Sequence, residues 1–390
     1  MYTLIEIFDS KQYENIITPF SLQNLSKIIY IGSENVMTKE KINNIKKFYD
    51  SQKSSVPVEF YYVKRDEAQA VKTTLSGIIR SNKNCIFDAT GGEDLILSVA
   101  GICACEFSVP VIRTSTDNAS LSAINGDIRN LHSKAPSFGI DELICLQGGK
   151  ILSSTSSDKI LKQDIDYIRK LFLINSINCE NYILFCNIIS EYIADDNEYI
   201  IIPKEKAELL NDRHKGIILN ILRLLEEYAL IEEISNDNSL KFRINRPIIA
   251  SCLKKAGNLL EYYTAIAARD SRMQLSDIRI GASIEWNNRN SFLETLNEID
   301  VLAVYENKPV FISCKNGYVK KEALYELDAV SRALGGSYAK KILVCTYIST
   351  NRSAREHIIN RAHDMDIGII YDSHKKTYED FIYHIKKEIS

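Results

Sequence analysis

What this chain lacks narrows its possibilities first. No apolar run reaches the roughly 18–20 residues needed to cross a bilayer, so no membrane partner is expected. The opening stretch MYTLIEIFDSKQYEN has neither the basic start nor the apolar core of a secretory leader, and a cytoplasmic location is expected. The nine cysteines are odd in number and form no CxxC pair followed by a second pair or a His cluster. Reduced, buried thiols account for them better than disulfides or a zinc site. Proline is scarce, at 7 in 390 residues, and glycine contributes 16, so neither a disordered nor a repetitive fibrous chain fits. The net charge of −3 is no general attractant for polyanions. Contact with nucleic acid would therefore need a local basic surface or a metal ion. No GxGxxG fingerprint is present, which disfavours a nicotinamide-dependent enzyme.

What is present reads as an α/β chain in three parts, with expected boundaries at 1–155, 156–256 and 257–390. In the first part short β-branched or aromatic runs recur at 3–8, 27–32, 58–63, 84–90, 110–114 and 142–147. Helical patterns over 39–49 and 66–80 lie between them, which predicts a doubly wound, largely parallel sheet. In the second part Ile160, Ile165, Ile168, Leu171 and Phe172 fall at helical spacing. An amphipathic helix over 214–228 then precedes a hairpin turning at 236–239, the order of a winged helix or of a spacer module. The third part reads helix (259–268), irregular stretch, strand (298–305), turn, strand (310–315) and helix (320–334). A strand (341–347), a helix (353–365), a strand (367–371) and a last helix complete it.

The strongest chemical signal is NEIDVLAVYENKPVFISCKNG at 297–317. Alternation along a strand predicts that Glu298 and Asp300 share a face, as do Ser313 and Lys315. With a turn at 306–309 centred on Asn307 and Lys308, Asp300 is expected roughly opposite Lys315. Acid and cation would then sit among apolar neighbours, which is costly unless they pair or bind something. Oxygen ligands that hold Mg²⁺ or Mn²⁺, with an ammonium beside them, make the chemistry of phosphodiester hydrolysis. Glu261, on the 259–268 helix, could supply a further carboxylate. A structural Asp300–Lys315 salt bridge is the alternative. Arg269, Arg272, Arg279, Arg289, Lys320, Lys321, Lys340 and Lys341 offer local positive charge, with no base-reading motif among them.

In the first part, NCIFDATGGEDLILSVAG at 84–101 runs strand, Thr-Gly-Gly turn, acidic helix start. Glycines there admit a ligand to the backbone, and the helix start offers free N–H groups. A second loop leaves its strand through Gly32 and Ser33, and both loops belong at the carboxyl ends of strands. A tight strand-to-helix turn without a ligand is the plainer reading.

At 261–315 the chain resembles the PD-(D/E)xK nuclease superfamily. The resemblance makes Glu261, Glu298 and Asp300 the metal-binding acids and Lys315 the catalytic lysine. It departs at Ser313, where the pattern asks for Asp or Glu. The shell is then expected to be completed by Glu298, Glu261 and the Cys314 carbonyl. The DATGGEDLIL stretch resembles the ligand motif of CARF domains, Rossmann-like sensors of cyclic oligoadenylates. The whole order is similar to the ancillary nucleases of type III CRISPR systems, and most of all to the cyclic tetra-adenylate-activated family that cuts DNA and RNA as a homodimer. It implies a CARF sensor, a helical or winged-helix middle and a restriction-endonuclease-like α/β/α domain. Gly32, Ser33, Thr90, Gly91, Gly92, Glu93 and Asp94 become ligand candidates. Cyclic tetra-adenylate becomes the expected activator, Mn²⁺ or Mg²⁺ the cofactor, and DNA or RNA the substrate, cut with little sequence preference. A ligand-controlled transcription regulator with a degenerate nuclease domain is the competing reading.

Overall fold

The computed structural model describes residues 1–193, 199–235, 239–286 and 296–390. Arg289 and most of the expected 236–239 turn lie outside the described residues.

Strands β1 (Tyr2–Ile7), β2 (Leu25–Gly32), β3 (Val58–Tyr62), β4 (Cys85–Asp88), β5 (Val111–Thr114) and β6 (Leu121–Asn125) form one sheet in the order 3-2-1-4-5-6. All neighbours pair in parallel except β6, which runs antiparallel to β5. Helices α1 (Glu14–Ser21), α2 (Lys39–Ser51), α3 (Ala68–Ser81) and α4 (Asp94–Phe107) make the crossovers. Ile5, Ile7, Ile29 and Ile31 pack against α3 and α4, while Leu4, Ile28 and Tyr30 pack on the opposite side. Both faces are therefore covered, as a parallel sheet requires.

The 142–147 run, expected as a strand, is helix α5 (Ile140–Leu146). Ile140, Leu143 and Ile144 lie on one face and are buried, and Asp141 and Glu142 occupy the first turn, where the helix dipole favours acids. The strand follows instead as β7 (Gly149–Ser156), and it leaves the N-terminal sheet altogether.

The middle of the chain contains α6 (Lys162–Ile177), α7 (Cys179–Ile189), β8 (Tyr199–Pro203), α8 (Lys204–Glu208) and α9 (Asp212–Glu227). Strands β9 (Ile231–Ser235) and β10 (Ser239–Ile244) follow, then α10 (Pro247–Lys254). The small sheet runs β8-β10-β9.

Helix α11 (Ala256–Asp270) opens the last part. The expected irregular stretch holds a long strand, β11 (Leu275–Trp286). Strands β12 (Leu296–Tyr305) and β13 (Lys308–Tyr318), helix α12 (Glu322–Gly335), β14 (Lys340–Tyr347), α13 (Arg352–Asp364), β15 (Gly368–Ile370) and α14 (Tyr378–Ile389) complete the chain. The mixed sheet has the order β15-β14-β13-β12-β11-β7, so a strand from the first part closes its edge. One buried cluster runs from Leu4 and Phe48 through Ile144 to Phe311 and Leu343. The N-terminal and C-terminal sheets thus share a continuous core. Among the described residues no helix is long and apolar enough to cross a membrane.

Candidate functional site

The β12–β13 hairpin positions the C-terminal constellation. Its turn is the two residues Glu306 and Asn307, with φ of 49° and 60°, so Tyr305 pairs with Lys308 and Val301 with Ile312. Two positive φ values match the twist of a two-residue hairpin. The register differs from expectation by two residues: Asp300 falls level with Ser313, not Lys315. A two-residue shift preserves which face each side chain takes, whereas a one-residue shift would have reversed it.

Pairing between β12 and β13 ends at Val301–Ile312. Just beyond, the Asp300 carboxylate takes the place of a backbone acceptor. The Cys314 N–H donates to Asp300 Oδ2 at 2.6 Å and Ser313 Oγ donates to the same oxygen at 3.2 Å. Ser313, where the superfamily pattern asks for an acid, therefore holds the acid that remains. Glu298 and Asp300 both act on Glu261, but Glu298 does so from the rim. Ile299 and Val301 pack into different cores, and the Glu298 side chain is 61% exposed.

Glu261 reaches the same place from α11 and is buried, with 5% of its surface accessible. Burial and the neighbouring Asp300 charge push its carboxyl up to about 7. Burial likewise raises Asp300, against the opposing pull of the Cys314 N–H and Lys315. Lys255, which the sequence did not single out, stands 4.0 Å from Glu261 and 3.6 Å from Glu298. Lys315 is half-buried and, among the described residues, makes no ion pair within 4 Å. Its charge nonetheless favours the ionised forms of both Glu261 and Asp300. The expected alternative of a closed Asp300–Lys315 salt bridge is not what the structure has. The Cys314 thiol points away, 3.6 Å from Thr264 Oγ1, and burial raises its pKa, leaving only the carbonyl as a ligand candidate.

Among the described residues, no group of three or more His, Cys, Asp and Glu could hold a metal ion, so the expected Glu261–Glu298–Asp300 shell is not assembled. Two carboxylates remain. Both are pushed toward their protonated forms, Glu261 partly by the charge of Asp300, and a divalent cation would offset that repulsion. The pair fits a hard cation that takes its remaining ligands from carbonyl, water and phosphate oxygens.

The surrounding cations are dispersed. Arg269 is bonded to the Ser157 carbonyl and Arg279 to Asp141 and Asp277. Lys341 is buried against Asp328, and Lys340 bonds the C-terminal carbonyls. Arg272, Lys320 and Lys321 are exposed.

At the N-terminal sheet the two expected loops meet at the carboxyl ends of β1, β2 and β4. Ser33 donates through both its N–H and its hydroxyl to Glu93, at 2.8 Å each. The Thr90 hydroxyl donates to Asp88 at 2.6 Å and accepts from the Thr114 N–H at 2.8 Å, so it is saturated inward. Gly92 has φ 128° and donates to Asp9 at 2.6 Å. A side chain at Gly91 would run into Glu14, and one at Gly92 into Ile7, so this turn requires glycine. Gly32 packs against Phe8 and Met37 as a wall of the mouth. Asp94 is exposed in the first turn of α4. Lys11 pairs with Glu14 and Arg65 lies 3.7 Å from Glu93, so the rim carries both signs. Sequence reasoning missed Asp9, Glu14 and Asp88. Only Asp88 carried a signal, as the strand-end acid just before the Thr-Gly-Gly turn.

No curated protein sequence matches the chain. Protein VC1899 from Vibrio cholerae shares the fold at 16% identity and TM-score 0.78, over 99% of this chain and 97% of that one. Can2 from Sulfobacillus thermosulfidooxidans, solved in complex with cyclic tetra-adenylate, does so at 17% identity and TM-score 0.69, over 99% of both chains. The family described as "Card1-like, endonuclease domain" matches residues 253–388, the stretch that holds Glu261, Asp300 and Lys315. Residues 253–388 are therefore similar to the endonuclease domain of Card1-like proteins.

Proposed function

We propose that this chain is a metal-dependent nuclease that cleaves DNA or RNA with little sequence preference, as a homodimer switched on by a cyclic oligoadenylate in type III CRISPR defence. The observation that carries the cutting activity is the placement of Glu261, Asp300 and Lys315. A buried acid, a half-buried acid and a cation with no ion pair among the described residues come together where β12 and β13 part, inside the stretch that matches the endonuclease family. Glu261, Asp300 and the Cys314 carbonyl would hold Mg²⁺ or Mn²⁺, which when bound polarises the scissile phosphate and acidifies a water. Lys315 orients the attacking water and offsets charge that grows on the phosphate oxygens. Ser313 keeps Asp300 in place.

Activation rests on the Thr-Gly-Gly mouth and on the likeness to a structure that holds cyclic tetra-adenylate. With Thr90 saturated inward and the Gly92 N–H taken by Asp9, the backbone of Gly91 is what remains to meet the ligand. A ring with two-fold symmetry suits a dimer whose two mouths face each other. Binding favours the cutting arrangement only to the extent that the ring prefers it. Cleavage of plasmid and RNA, with and without cyclic tetra-adenylate and with Mn²⁺ or Mg²⁺, tests the reading. Cutting that survives Asp300→Asn and Lys315→Ala overturns the site. Cutting indifferent to every cyclic oligoadenylate overturns the gating.

A further inference from the structure

Beyond Lys315 the edge of the site is aromatic. Tyr318 and Tyr347 stack with ring centroids 5.1 Å apart and planes 22° from parallel, and His374 packs on Tyr347 at 4.6 Å. Tyr318 is 55% exposed, while Tyr347 and His374 are half-buried behind it.

A bulge puts this row on the face of Lys315. On β14, Cys345 and Tyr347 are two residues apart, but their partners on β13, Lys315 and Tyr318, are three apart. In a regular strand Lys315 and Tyr318 would lie on opposite faces. The extra residue returns Tyr318 to the face of Lys315, two strand positions or about 7 Å farther along. The bulge is fixed in place. Gly317 has φ 139° and donates to Thr346 Oγ1 at 3.2 Å, and Asn316 donates to the Ala256 carbonyl at 2.9 Å and accepts from Thr346 Oγ1 at 2.7 Å. A side chain other than hydrogen at 317 would meet strain from that φ.

We propose that Tyr318, backed by Tyr347 and His374, is a stacking ledge that seats one unpaired base of the nucleic-acid strand next to the scissile phosphate. The occupant is a base of a single strand, for three reasons. The ledge continues directly from the lysine of the cutting site. Its exposed face is a flat π surface that any base can cover, and a base in a duplex is already stacked on both sides. Lys320 and Lys321, both exposed, follow Tyr318 after the buried Val319 and provide positive charge for the backbone. Burial lowers the His374 pKa, and its Nδ1 lies 2.9 Å from the Thr346 carbonyl oxygen, so a neutral ring supports the stack at pH 7. The inference rests on the nuclease reading and adds the preference for unpaired strand.

Binding without cutting tests the ledge separately from catalysis. The full chain with cyclic tetra-adenylate is titrated, in excess chelator, into a fluorescein-labelled oligodeoxythymidylate strand and into the same strand annealed to its complement, and anisotropy is read. Tyr318→Ala should weaken single-strand binding by about 5- to 150-fold, the range for one stacked base, and leave duplex binding unchanged. Tyr318→Trp should keep it, and Tyr318→Leu, equally apolar but unable to stack, should not. Equal single-strand affinity for wild type and Tyr318→Ala, or full binding by Tyr318→Leu, overturns the ledge. Cleavage by Asp300→Asn, measured separately, bears on the catalytic reading alone.

Discussion

The hydroxyl of Tyr338, in the 3-10 turn after α12, donates to the Glu14 carboxylate on α1, and the same carboxylate covers Gly91 of the Thr-Gly-Gly turn. One side chain thus touches both the Thr-Gly-Gly mouth and the stretch that matches the endonuclease family. The ring of Tyr338 also packs on Tyr13 at 5.3 Å. Tyr338→Phe keeps that packing and removes the hydroxyl that bonds Glu14 and lies beside Thr116. A hydrogen bond to a charged group is worth about 1.5–3 kcal/mol, which caps the lost coupling at about 10- to 150-fold. We expect the ratio of cleavage with and without cyclic tetra-adenylate to fall within that limit. An unchanged ratio would show that the signal travels elsewhere.

Lys315→Ala should reduce cutting by about 10²–10³-fold, as expected for removing one charge-stabilising donor. Because Lys315 makes no ion pair among the described residues, the melting temperature should barely move. A large drop in stability would mean that the ammonium is structural.

Glu261 gives the protein a pH signature. Its folded carboxyl titrates near 7, above the ordinary 4.5, because burial and Asp300 disfavour the charge. A raised carboxyl pKa means that the folded state keeps a proton the unfolded chain releases. Metal-free stability should therefore fall as pH rises from 4.5 to 7 and level off above it. Glu261→Gln should abolish that part of the slope, read as the difference between the two melting curves in chelator. Affinity for Mn²⁺ should rise over the same interval, since metal and proton compete. Parallel melting curves would remove Glu261 from the site.

Glu6 predicts the opposite of what a buried acid usually suggests. Its carboxyl is raised well above the usual range by burial and by the neighbouring Asp88, which anchors Thr90, so a protonated Glu6 is the donor available to Asp88. At pH 7 Glu6→Gln supplies the same donor and should leave thermal stability and activator affinity intact. Glu6→Ala leaves Asp88 without that donor and should cost about 1–3 kcal/mol. If Gln proves as damaging as Ala, Glu6 is ionised in the native protein.

Much of this was legible in the sequence, and its failures have physical causes. The parallel sheet was readable because buried strands such as KIIYIG are continuous apolar runs. ELICL was misread because a short apolar run suits a strand and a buried helix equally well. KILSSTS was missed because an edge strand needs little apolar surface, and here only Ile151 among its residues packs on a core. At the site, Glu261, Asp300 and Lys315 could be named because acids and a lysine among Ile, Val and Phe demand an explanation. Their register could not be read, since Glu306-Asn307 lacks the glycine that marks a two-residue turn. Glu298 looked equivalent to Asp300 from alternation alone, and its 61% exposure and its pairing with Lys255 set it at the rim instead.

The contribution of β7 to the far sheet decides what can be cut away from this protein. A fragment confined to 253–388 would leave β11 with a bare flank of backbone donors and acceptors where residues 149–156 now bond. Such a flank recruits strands from other molecules, so the excised piece should clump unless a surrogate segment is supplied. Supplying the octapeptide GKILSSTS in trans, or fusing it ahead of residue 253, would rescue a soluble fragment.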